Sequence, residues 1–95
     1  VRETLFNWLG QDLSGWRCVD AFAGTGALGL EAASRGAADV LLVEQDAQLV
    51  GALRATLKRL EDSGGVRIQR GNAITALGAL PPASLDLVFL DPPFD

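Results

Sequence analysis

Asp91-Pro92-Pro93-Phe94 follows an apolar run, Leu87 to Leu90, that reads as a buried strand. Proline has no backbone N–H and a fixed φ, so the pair ends the strand and leaves its carbonyls outside any sheet ladder. A carboxylate, free carbonyls and a flat ring then stand together at the carboxyl end of a strand, where open α/β sheets put their ligands. The set suits the holding of an exocyclic amino group on a flat base. Asp91 and a proline carbonyl accept the amine hydrogens, and Phe94 stacks on the ring.

A second group lies upstream. Arg17 to Phe22 reads as a short strand, Gly24-Thr25-Gly26 as a tight turn that glycine makes cheaply, and Ala27 to Ser34 as a helix opening directly after it. Gly24, Gly26 and Gly29 match G-x-G-x-x-G, a pattern that by itself also suits a dinucleotide. Asp20 separates the two cases. At the strand's end, just before the turn, its carboxylate would meet a pyrophosphate at close range. Like charges a few ångströms apart cost roughly 1 to 4 kcal/mol, depending on screening. A cationic cofactor is attracted instead. S-adenosylmethionine carries a sulfonium and an ammonium, so Asp20 favours it over NAD.

Asp39 to Glu44 reads as a strand with an acid at its end. Glu44 comes about two dozen residues after Asp20, close to the offset at which nucleotide-binding α/β units place a ribose-binding acid. A carboxylate accepts both ribose hydroxyl hydrogens at once. Val66 to Arg70 reads as a further strand, followed by Gly71 and Asn72. An amide at Asn72 is placed to hydrogen-bond an adenine edge. Each residue also has a plainer role: the glycines allow close helix–strand packing, Glu44 ends a strand in solvent, Asn72 makes a turn, and Asp91 caps one. Trp8 and Trp16 read as packing residues rather than stacking platforms, and Phe22 as core bordering the cofactor turn.

Helices must position these strand ends. Val1 to Gly10 reads as an amphipathic helix. Ala47 to Leu60 carries Leu49, Leu53, Leu57 and Leu60 at helical spacing and is stopped by Ser63-Gly64-Gly65. Ala73 to Leu80 reads as a short helix ended by Pro81-Pro82. Strands alternating with helices imply a parallel sheet with right-handed crossovers.

Composition sets the limits. The chain has 95 residues, 48% of them hydrophobic, and a net charge of −4, which is the composition of one soluble domain. With no apolar run of 18 residues or more, no membrane span is expected, and the charged opening is not a signal peptide. Without an initiator Met, the chain is expected to be cut from something longer. Cys18 is the only cysteine, so no internal disulfide forms, which fits a reducing cytoplasm. With no histidine and one cysteine, a zinc site of the usual ligands is excluded. The acidic balance is opposite to that of most nucleic-acid binders, although Asp20, Glu44 and Asp91 belong to the expected pocket. Arg54, Lys58 and Arg59 read as a solvated helix face, so the main nucleic-acid contacts are expected from segments outside this chain.

Three strings, Val-Asp-Ala-Phe-Ala-Gly-Thr-Gly-Ala-Leu-Gly-Leu-Glu-Ala, Val-Glu-Gln-Asp and Asp-Pro-Pro-Phe, resemble a class I S-adenosylmethionine-dependent methyltransferase of the amino-methylating kind. The opening Val1-Arg-Glu-Thr-Leu-Phe-Asn-Trp-Leu9, with Ser34-Arg-Gly-Ala37, narrows the resemblance to the RsmD family, bacterial enzymes that methylate the N2 amine of guanine 966 in 16S ribosomal RNA. It runs along almost the whole chain. The fold it implies is Rossmann-like α/β, a doubly wound, mostly parallel sheet. This chain would supply about four strands of it in the order 3-2-1-4, the N-terminal part of a catalytic domain truncated at both ends.

On individual residues, the resemblance implies that Gly24, Thr25 and Gly26 line the methionine portion of S-adenosylmethionine beside Asp20 and Phe22. Glu44 would hold the ribose, and Asn72 and Ala73 would border the adenine. Many relatives carry an acid where this chain has Asn72. Asp91, Pro92, Pro93 and Phe94 would hold a flipped guanine, and Arg2 and Thr4 would close over the cofactor. The partner implied is ribosomal RNA or an assembling small subunit, met by a cytoplasmic monomer without metal. An aromatic amine is a poor nucleophile because its lone pair is delocalised. Hydrogen bonds from it to Asp91 and the Pro92 carbonyl favour a pyramidal nitrogen that attacks the sulfonium methyl in line. Positioning supplies much of the rate, with effective molarities of about 10⁵ M or more. The target base must first leave its stack, at a cost of a few kcal/mol in a paired helix. Other classes stay open: methylation of adenine in DNA or of a protein amide, a cofactor-binding fragment without catalysis, and a dinucleotide-binding domain.

Overall fold

The computed structural model describes residues 12–60, 65–80 and 85–90. The opening helix expected over Val1 to Gly10, the Ser63-Gly64 break, Pro81-Pro82 and the Asp91-Pro92-Pro93-Phe94 motif lie outside them. The elements run β1 (Arg17–Asp20), α1 (Ala27–Ser34), β2 (Asp39–Glu44), α2 (Ala47–Arg59), β3 (Val66–Arg70), α3 (Ala73–Gly78) and β4 (Leu87–Phe89). They form a four-stranded sheet in the order β3-β2-β1-β4, with every neighbouring pair parallel. This is the expected order 3-2-1-4. The chain winds outward from β1 to β3, then crosses to the other side of β1 to lay down β4. β1 is therefore the point where the direction of winding reverses, and ligands bind at the carboxyl ends of strands beside such a point.

Residue chemistry explains the layering. β2 is buried at every position from Val40 to Val43, as a central strand covered on both faces must be. Successive side chains alternate between faces. Cys18, Val40, Leu42 and Phe89 join Ala32 of α1 and Leu53 of α2 on one side. Val19, Leu41 and Val43 meet Ala76 of α3 on the other.

Helix α1 lies close to the sheet because Gly29 has no side chain. A Cβ there would collide with the Leu42 side chain and stand 3.3 Å from Val40 Cγ1. Gly26 precedes α1 with φ 83°, a left-handed conformation that other residues adopt only under strain. Helix α2 is capped by Asp46, whose Oδ1 accepts from the N–H groups of Gln48 (2.8 Å) and Leu49 (3.2 Å). Lys58 and Arg59 in its last turn complement the helix dipole.

Boundaries differ from the sequence reading by one or two residues. β1 ends at Asp20 rather than Phe22, because the chain turns there. The Ala21 N–H donates to the Phe89 carbonyl at 3.0 Å, and the Ala23 N–H to the Val43 carbonyl at 2.9 Å. The turn is thus pinned to both neighbouring strands without extending the ladder. α2 ends at Arg59, since Leu60 is already extended (φ −87°, ψ 132°). α3 ends at Gly78 rather than Leu80, and β4 at Phe89 rather than Leu90.

Candidate functional site

A cavity of about 370 Å³ opens at the carboxyl ends of β1, β2 and β3. That lies within the range of small-ligand sites, about 300–1,000 Å³. Ala21, Phe22, Val43, Leu49 and Ala73 supply apolar wall, while Glu44, Gln45 and Asp46 bring polar groups to one side. Each comes from a place where a strand hands over to a turn or helix, so its position is fixed by the sheet.

Glu44 ends β2 and is half-buried. Its Oε1 accepts the N–H of Gly24 at 2.8 Å, and its Oε2 accepts the N–H of Asp46 at 2.9 Å. One carboxylate thus joins the glycine turn after β1 to the turn after β2. Its backbone carbonyl accepts the Gly71 N–H at 3.0 Å, which brings in the segment after β3. A carboxylate oxygen has two acceptor positions. One on each oxygen stays available to a pair of hydroxyl hydrogens.

The glycine turn stands on the other side. Gly24 (φ 55°) lines the cavity, Thr25 is exposed, and Gly26 is buried against α1 and α2. The Gly26 N–H closes the turn on the Ala23 carbonyl at 2.7 Å. A Cβ at Gly26 would stand 2.6 Å from Leu53 Cδ2. Asp20 is 1% exposed at the end of β1. Its Cβ lies 3.5 Å from where a Gly29 side chain would begin, so it is packed under the start of α1.

Asn72 does something simpler than the sequence reading expects. Its Oδ1 accepts the N–H groups of Ile74 (2.8 Å) and Thr75 (3.2 Å), which caps α3. The carbonyl of the amide is thereby committed to the helix, and only its NH₂ is left to meet a ligand. Ala73 lines the cavity. The structure therefore brings Phe22, Gly24, Glu44 and Ala73 to one cavity and sets Asp20 beneath the neighbouring turn. Asp91, Pro92, Pro93 and Phe94 lie outside the described residues. Phe89, two residues before that motif, is the register partner of Asp20.

Sequence reasoning misses Leu49, Gln45 and Asp46 as parts of this site. Asp46 carries a signal, since an Asp immediately before an apolar helical repeat is a strong N-cap. Gln45 and Asp46 also stand in the Val-Glu-Gln-Asp string, without a role assigned to either there, and Leu49 reads only as one of the helical leucines.

Two other titratable groups are placed away from this chemistry. Burial, with Asp86 and Asp39 as secondary causes, pushes the Cys18 thiol up from 9.0 to about 11. At neutral pH it is a protonated core group and not a nucleophile. Asp86, just ahead of β4, accepts the Arg17 backbone N–H at 2.8 Å and its Nε at 3.3 Å. These bonds hold its carboxyl below the usual range. They join β1 to β4 at the end of the sheet opposite the cavity.

The sequence and the fold have close counterparts. The "Ribosomal RNA small subunit methyltransferase D" of Escherichia coli (strain K12) is 46% identical over 94 residues, covering 99% of this chain and 46% of that protein. A solved structure of a conserved hypothetical protein from Streptococcus pyogenes superimposes with a TM-score of 0.86 at 34% identity, covering 99% of this chain and 58% of the other. The C-terminal domain of precorrin-6Y C5,15-methyltransferase from Rhodobacter capsulatus shares the fold, with a TM-score of 0.82 at 21% identity, over 99% of this chain and 49% of that one. This chain spans about half the length of the curated relatives it matches. The family model described as "Conserved hypothetical protein 95" matches residues 1–95. The chain accordingly belongs to that family, as an RsmD-like member with the class I methyltransferase fold.

Proposed function

We propose that the protein binds S-adenosylmethionine in the cavity beside Glu44 and methylates an exocyclic amine of RNA, the N2 amine of guanine 966 in 16S ribosomal RNA. The observation that carries this reading is the Glu44 carboxylate, fixed at the cavity by two backbone N–H groups with acceptor positions to spare. The similarity to ribosomal RNA methyltransferases along the whole chain supports it.

The donor set fits the cofactor. Glu44 accepts the two ribose hydroxyls. Phe22, Leu49 and Ala73 give the adenine an apolar surface, and the Asn72 NH₂ is the part of that side chain able to reach the ring edge. Gly24, Thr25 and Gly26 keep the backbone low beside the methionine portion, and Asp20 provides charge of the sign opposite to its cationic centres. When bound, S-adenosylmethionine supplies a methyl group activated by its sulfonium. Asp91 and the Pro92 carbonyl accept hydrogens from the target amine and so localise its lone pair. Pro93 belongs to the same base-holding motif, and Phe94 stacks on the flipped base. The partner is ribosomal RNA or an assembling small subunit, and the protein works as a cytoplasmic monomer without metal. Among the described residues no helix is long and apolar enough to cross a membrane.

The test is methyl transfer by the protein at its full encoded length. It is incubated with methyl-labelled S-adenosylmethionine and unmodified 16S RNA, free and in subunit particles, and the RNA is digested to nucleosides. Label in N2-methylguanosine is the expected result. Label confined to DNA adenine or to a protein amide, offered in parallel, would replace this substrate with another.

A further inference from the structure

We infer that Asp46 is a positioning residue for the cofactor's ribose, acting through Glu44. The inference rests on the proposed reading of Glu44 as the ribose acceptor and adds to it a residue that never touches the ligand.

Three hydrogen bonds make the link. The Asp46 N–H donates to Glu44 Oε2 at 2.9 Å. The Asp46 side chain accepts from Gln48 N–H at 2.8 Å and from Leu49 N–H at 3.2 Å. The cap therefore holds Asp46 at φ −78°, ψ 123°, and with it the direction of its own N–H. Gly24 holds the other oxygen of Glu44, but a single bond to Oε1 leaves the carboxylate able to swing about that contact. The Asp46 N–H removes this freedom, so the plane of the carboxylate is held at both oxygens. A cis-diol needs both oxygens of the carboxylate aimed at it together, whereas a single hydroxyl needs one. The cap is thus coupled to recognition of the diol. Leu49, bonded to the same cap, also lines the cavity, so the α2 N-terminus and the ribose acceptor are set as one unit.

The experiment measures binding of S-adenosylhomocysteine and of its 2′,3′-dideoxy counterpart by calorimetry to the full-length protein. The variants are Asp46→Asn, Asp46→Ala, Asp46→Gly and Glu44→Gln. Asn is an equally good cap, and Gly is a tolerated one that has no side-chain acceptor, so Asp46→Gly stays folded if Asp46→Ala does not. The expected result is a loss of about tenfold in affinity for S-adenosylhomocysteine in Asp46→Ala and Asp46→Gly, the scale of one weakened hydrogen bond to a charged group. The dideoxy ligand loses less than twofold, and Asp46→Asn restores the parent affinity. Equal losses for both ligands would reduce Asp46 to a helix cap and overturn the inference while leaving the ribose reading intact. If Glu44→Gln binds both ligands as the parent does, the ribose reading itself fails, and the inference falls with it.

Discussion

The N–H of Gly24 donates to Oε1 of Glu44 at 2.8 Å, across 20 residues of sequence. This bond ties the glycine turn after β1 to the end of β2, so the two halves of the candidate ligand site are built on each other. Replacing the carboxylate with an amide turns one acceptor into a donor. Glu44→Gln then sets an NH₂ against the N–H of Gly24 or of Asp46. An unsatisfied polar group at such a place costs about 1–3 kcal/mol. Glu44→Gln is expected to weaken S-adenosylmethionine binding by about tenfold or more and to lower the melting temperature. Calorimetry and thermal denaturation of one preparation measure both.

The three glycines of the turn region are not equivalent. At Gly29 a Cβ meets the Leu42 side chain, and at Gly26 it meets Leu53 in a backbone conformation with φ 83°. At Gly24, with φ 55°, it meets nothing within 4 Å. Gly29→Ala and Gly26→Ala should each destabilise by about 1–3 kcal/mol, through overpacking and, at Gly26, added backbone strain. Gly24→Ala should cost about 1 kcal/mol, the strain alone. Urea unfolding of the three variants gives the order directly.

Cys18 gives an alkaline signature. Its folded thiol is raised from 9.0 to about 11, so the unfolded chain ionises first as pH climbs. The stability it contributes is complete below pH 9.0 and is lost as pH rises toward 11. Cys18→Ala should flatten the decline of stability over that window. A thiol reagent at pH 8 should label the native protein slowly and the urea-unfolded protein fast.

Asp86 gives the acidic counterpart. Its carboxyl is held below the ordinary 3.8, first by the Arg17 backbone N–H and then by the Arg17 side chain. The stability it contributes is present above 3.8 and lost as pH falls through the lower folded value. Asp86→Asn should make the acid limb of a stability–pH profile shallower without changing cofactor binding, because the Arg17–Asp86 pair lies at the far end of the sheet.

Much of the fold is legible in the sequence because hydrophobic pattern and breakers act locally. The run Val40 to Val43, Gly26 before α1 and the leucine spacing of α2 each announce an element, and their alternation leaves few topologies. The ends of β1 and α3 are less legible. Whether Ala21 continues β1 depends on Phe89, far away in sequence, whereas α3 ends in a last turn where the Leu80 N–H bonds to the Leu77 carbonyl at 3.2 Å. Glu44 and Gly24 are readable as separate candidates, but the bond between them follows from the path of the turn. Asn72 illustrates the reverse case: an amide able to read an adenine edge is also a strong helix cap, and its carbonyl is taken by the local N–H groups of Ile74 and Thr75.

The most direct measurement is calorimetric titration of S-adenosylmethionine and, separately, of NAD into the full-length protein. Binding of S-adenosylmethionine, weakened by Glu44→Gln, with no heat from NAD, is the predicted result. Binding of NAD in place of S-adenosylmethionine would contradict the reading of this cavity and leave the turn from Gly24 to Gly29 as a dinucleotide site.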